Sequence, residues 1–141
     1  MMLLAAVADD RNGVRTVHNF CSELTQEDRI IEALGSSSHI PRVHKEPLSR
    51  YCKYLTEHLD FPFLAYFPKP ATFQEEEDCR CMVLELLGPA KNSNDGVDGI
   101  FCNIHKGIYE LTLPFNNLYL PEDSLNFQWF DDYCYWFWNW R

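Results

Sequence analysis

A chain of 141 residues with 46% apolar and 15% aromatic side chains can fill the core of one ordinary domain without disulfides. Its net charge of −9 is unevenly spread: residues 71–141 carry twelve Asp or Glu against four Lys or Arg, whereas the first seventy carry nine against eight. A negative field repels phosphate backbones and anionic lipid and gathers cations or basic partners, so nucleic acid and membrane are excluded as expected partners. No stretch approaches the roughly 20 apolar residues needed to span a bilayer.

Six cysteines (Cys21, Cys52, Cys79, Cys81, Cys102, Cys134) are expected to be reduced thiols in a cytoplasmic protein. The apolar run Met1–Ala8 is not expected to be an export signal, being short and without a basic start, although Ala6-Val7-Ala8 faintly resembles a cleavage site. Met2 to Ala8 reads as a short strand or helix and Asn12-Gly13 as a turn. Thr25-Gln26-Glu27-Asp28 then opens a helix, with Thr25 as its cap and the acids where the helix dipole favours them. Ile30, Ile31 and Leu34 supply its apolar face, Gly35 ends it, and Gly35 to His39 reads as a linker. Residues 1–46 are thus expected to be an extension with a short helix and linker, attached to an acidic domain over residues 47–141.

Pro47 suits the first turn of a helix, and Leu48, Tyr51, Cys52, Leu55 and Leu59 recur at three- and four-residue steps, predicting one buried face. Phe61-Pro62 stops that helix. Phe63 to Phe67 and Cys79 to Leu87 read as strands. In the second, Cys79, Cys81, Val83, Glu85 and Leu87 are expected on one side and Met82, Leu84 and Leu86 on the other; two largely apolar faces suggest a central strand. Ile100 to Ile104 and Ile108 to Leu113 form a hairpin around Lys106-Gly107, and Asn116 to Leu120 is a candidate last strand. A final helix is expected over about Leu125 to Trp138. Its rings (Phe127, Trp129, Phe130, Tyr133, Tyr135, Trp136, Phe137, Trp138), with Trp140, read as core rather than as a sticky surface. The strands are too closely spaced for helical crossovers. The fold class is therefore α+β: a mostly antiparallel sheet or small open barrel of four to five strands with an N-terminal and a C-terminal helix packed on it.

Tyr54 to Ala65 (YLTEHLDFPFLA), the Glu110 to Leu118 strand and Asp132 to Asn139 (DYCYWFWN) together resemble the small cyanobacterial calcium-binding protein family. The resemblance spans roughly residues 47–141 and implies a compact acidic α/β domain that buffers calcium. Asn117 and Tyr119 stand where that pattern has an acidic pair, and Cys134 where a basic residue is usual.

Calcium takes six to eight oxygens, so its ligands must converge from several turns. Four acidic clusters are candidates: Glu75, Glu76, Glu77 and Asp78; Asp95 and Asp98 in the Asn92–Gly99 loop; Glu122 and Asp123; and Asp131 and Asp132. The first two lie at opposite ends of the same predicted strand. The bland alternative is that these loops are solvated acids, and Asp131 or Asp132 could instead be a local cap or a partner for Arg141. The Asn92–Gly99 loop is no EF-hand, because with Gly99 at the sixth position the twelfth is His105 rather than glutamate. Cys79 and Cys81 read as buried small hydrophobes rather than zinc ligands, and no nucleophile context or phosphate-binding glycine loop suggests catalysis. The functional expectation is a non-catalytic calcium (Ca2+) or other divalent-cation buffer or sensor. The alternative is an interaction module that offers its acidic face to a basic protein partner.

Overall fold

The computed structural model describes residues 24–36, 39–67, 79–90 and 98–141. In chain order it contains α1 (Gln26–Leu34), α2 (Lys45–His58), β1 (Phe63–Tyr66), β2 (Arg80–Gly88), β3 (Phe101–Lys106), β4 (Tyr109–Pro114), a 3-10 turn (Phe115–Asn117) and α3 (Phe127–Asn139). The strands form one antiparallel sheet in the order β1-β2-β3-β4, so the α+β expectation holds.

Local chemistry explains the element ends. The Thr25 hydroxyl accepts from the Asp28 amide at 3.1 Å, and the Thr25 amide donates to the Asp28 carboxylate at 3.3 Å, so α1 opens with a capping box. Gly35 at φ 68° closes it, with the amides of Gly35 and Ser36 turned back to Glu32 and Ile31. Ile30 and Leu34 are fully buried and share one core with Leu48, Tyr51 and Leu55 of α2 and Tyr133, Trp136 and Phe137 of α3. Each aliphatic side chain buried in this way contributes roughly 1.5–3 kcal/mol, enough to dock a nine-residue helix that would be marginal alone. The rings of α3 behave mainly as core: Phe130, Tyr133, Trp136 and Phe137 are buried, while Trp138 remains 52% exposed.

Three expectations are corrected. In β2, Cys81 and Val83 face the core, but a register shift between Val83 and Glu85 inserts a bulge that reverses the alternation. Leu86 then packs against the core, whereas Glu85 and Leu87, expected on the side of Val83, face outward. Asn116 to Leu120 is not a strand. The chain turns through Phe115–Asn117 and meets β1 at one bridge, between Tyr66 and Tyr119. Asn116 is drawn inward by the Tyr133 hydroxyl, which donates to its Oδ1 at 2.8 Å, and this prevents extended pairing. The last helix starts at Phe127, because Phe127 and Asn126 donate their amides to Ser124 in a preceding turn and leave Leu125 86% exposed.

Candidate cation-binding groove

An open groove of about 780 Å³ lies where the end of β1, the start of β2, the Tyr119–Glu122 segment and the first turns of α3 come together. Tyr66, Phe67, Leu120, Phe127 and Phe130 make its walls largely apolar, and Glu122 and Asp131 bring carboxylates to it. The Tyr66–Tyr119 bridge, with amide-to-carbonyl distances of 2.9 and 2.8 Å, holds one wall. The other is held through Asn126, whose amide side chain accepts from the Asp60 amide at 3.0 Å and donates to the Asp60 carbonyl at 3.2 Å. That exchange fixes the turn bearing Glu122 and Asp123 against the end of α2. Glu122, Asp123 and Asp131 are all exposed, and Asp131 accepts from the Gln26 side-chain amide at 3.1 Å.

Asp132 has a different role. It is 3% exposed, and its carboxylate accepts from Arg29 Nε at 2.7 Å, Arg29 Nη2 at 3.1 Å and Gln26 Nε2 at 2.9 Å. The hydrogen bond to Asp132 raises the Arg29 pKa further above its already high ordinary value. The partner is thus Arg29 rather than Arg141, whose guanidinium lies 4.7 Å from the Phe137 ring centroid. This fork fastens α1 to α3 and occupies the lone pairs an ion would need.

Asp98, from the second cluster, is exposed and lies away from the groove lining. Its neighbour Gly99 has φ 81°, and a Cβ there would collide with Asn116, Tyr133 and Phe137. The Ile100 amide donates to the Tyr133 hydroxyl at 2.8 Å, completing the chain to Asn116. Burial holds the Tyr133 phenol well above its ordinary pKa, so it stays neutral and can make both bonds. Glu75, Glu76, Glu77, Asp78 and Asp95 lie outside the described residues. Among the described residues, therefore, Glu122 and Asp131 share one groove, while Asp98 and Asp132 are directed elsewhere.

No group of three or more His, Cys, Asp or Glu side chains among the described residues is arranged to hold a metal ion. Two carboxylates are also too few for calcium, so these residues alone do not complete a calcium shell. Cys79 and Cys81 are buried, and burial raises the Cys81 thiol to about 11 and the Cys102 thiol to about 12. No described helix is long and apolar enough to cross a membrane.

The apolar walls of the groove and the Gln26 bond to Asp131 were not evident in the sequence. The first depends on distant segments meeting, and the second joins residues 105 positions apart. A weak sequence signal existed for the groove: aromatic residues at the two ends of predicted strands, beside acidic turns.

The fold is similar to that in the crystal structure of Anabaena CcbP, with a TM-score of 0.56, 18% sequence identity and 94% of each chain covered. Residues 47–141 make up about two thirds of the chain, so this likeness reaches into the segment before residue 47. No family model and no curated protein matches the chain.

Proposed function

We propose that this chain is a non-catalytic divalent-cation-binding protein, with calcium its ion, and that the groove end is where the ion binds. The observation that carries the reading is the meeting of Glu122 and Asp131 beside Cys79, the residue that directly follows Glu75-Glu76-Glu77-Asp78 in the sequence. Glu122 and Asp131, from two of the four acidic clusters, thereby stand at one end of the molecule. Mutual repulsion among carboxylates at that end would be relieved by a doubly positive ion, and carboxylate and main-chain oxygens are the ligands calcium prefers. The sequence resemblance to small cyanobacterial calcium-binding proteins supports the choice of ion, and the fold shared with Anabaena CcbP is consistent with it.

Exposed carboxylates act through a screened field, so affinity should be modest and should fall as salt rises. Thermal unfolding at physiological salt tests the reading. Calcium should raise the melting temperature in a dose-dependent way that a chelator reverses; a ligand at a hundred times its Kd adds about 2.7 kcal/mol. A melting curve unmoved by millimolar calcium, with no heat on titration, would remove the proposal. Retained binding to basic proteins in that case would favour an interaction module.

A further inference from the structure

The two edges of the sheet are treated differently. At the outer edge of β1, Tyr66 exchanges both main-chain hydrogen bonds with Tyr119. At the outer edge of β4, no strand is paired among the described residues. β4 is also regular, matching β3 residue for residue from Phe101–Pro114 to Lys106–Tyr109 without a bulge. Among the described residues nothing covers it: Tyr109 is 65% exposed, Leu111 is 43% exposed, and Glu110 and Thr112 are exposed between them. Natural edges of this kind are usually blunted by lysine, proline or a bulge, because their free amides and carbonyls invite another strand.

The hairpin fixes which groups are free. Lys106 pairs with Tyr109 across Gly107-Ile108, and the closing pair of a two-residue loop has to be of the hydrogen-bonded kind. The odd-numbered residues of β4 therefore turn their main-chain groups toward β3. The bond from the Phe115 amide to the Ile100 carbonyl, at 2.7 Å, keeps that parity at the far end. Glu110 and Thr112 aim theirs outward, and Pro114, next in that row, has no proton to donate.

We propose that β4 pairs antiparallel with β4 of a second copy of this chain, about a two-fold axis through Leu111. Registers centred on neighbouring residues are worse. An axis on Glu110 sets that carboxylate against itself, and an axis on Thr112 sets Glu110 opposite the donorless Pro114. With the axis on Leu111, Glu110 faces Thr112 of the second copy at both ends, and their outward amides and carbonyls make four hydrogen bonds. Leu111 then meets Leu111 of the second copy in the close, non-hydrogen-bonded kind of pair, and Tyr109 meets Leu113 of the second copy on the same face. The contact is self-complementary, as a two-fold interface must be. Two chains of net charge −9 repel each other, and salt screens that repulsion beyond about 8 Å at physiological strength, so association should tighten as salt is added.

Sedimentation equilibrium on the full chain tests this, at low and at physiological salt over a wide protein range. The native mass should rise from monomer to dimer with concentration, and more readily in the higher salt. Thr112→Pro removes an outward amide and no bond to β3, so it should keep the native melting temperature and stay monomeric. Leu111→Lys, which places two ammonium groups across the axis, should also stay monomeric and serves alone if the proline variant fails to fold. A native protein that remains monomeric at every concentration, whether or not its edge captures a peptide of another protein, overturns the proposal. So does Leu111→Lys dimerising as tightly as the native chain.

Discussion

Asp131 and Asp132 are neighbours in α3, yet a helical step of about 100° sends them into different surroundings. Asp132 faces α1, where Arg29 and Gln26 take up both of its oxygens in a nearly dry seam. Asp131 stands exposed at the groove that Glu122 also borders. The same acid is thus a fastener at one position and a candidate ligand at the next. What distinguishes them is the element packed alongside, because a carboxylate already neutralised by a guanidinium has little left to offer an ion.

If that contrast is correct, substitutions on the packed side should cost stability and spare the calcium response, whereas substitutions at the groove should do the reverse. The largest loss is expected for Trp136→Ala. Trp136 is fully buried and donates its indole N–H to the Pro41 carbonyl at 2.9 Å, so urea unfolding should show a loss of about 3–5 kcal/mol. Asp132→Ala should follow at about 3 kcal/mol, because it leaves the partly buried Arg29 charge without its partner. Hydrogen exchange in that variant should quicken first in α1.

A further loss should appear only in alkali. Burial raises the thiols of Cys81 to about 11 and of Cys102 and Cys134 to about 12, whereas in the unfolded chain they titrate near about 8.5. The folded state therefore holds its thiol protons longer than the unfolded state. Their contribution to stability is complete below the unfolded value and is lost as pH rises from about 8.5 through the folded values. Urea midpoints should fall across that window, and replacing Cys102 with Ala should make the fall shallower. At the groove, the double change Glu122→Gln with Asp131→Asn should change the unfolding free energy in urea least of all, by no more than about 0.5 kcal/mol, since both side chains are exposed and Asn can still accept from Gln26.

Elements governed by local chemistry were legible in the sequence. Thr25, Asp28 and Gly35 mark the ends of α1 because caps act within a few residues, and the spacing of Leu48, Tyr51 and Leu55 marks the buried face of α2. The bulge after Val83 was not legible, because an inserted residue changes which side chains face inward without changing composition. The turn at Phe115–Asn117 was missed for a related reason: its cause is the Tyr133 hydroxyl, seventeen residues further along the chain. Of the candidate site, the residue types could be read but their grouping could not. Nothing near Asp132 in the sequence points to Arg29, and nothing near Glu122 points to Asp131.

The account stands most directly on where calcium acts. Calorimetric titration of the native protein against two double variants, Glu122→Gln with Asp131→Asn and Asp95→Asn with Asp98→Asn, separates the groove carboxylates from those of the Asn92–Gly99 sequence. Affinity should drop several-fold in the first variant and stay near native in the second. A native affinity in the first variant together with a loss in the second would contradict the groove as the binding end.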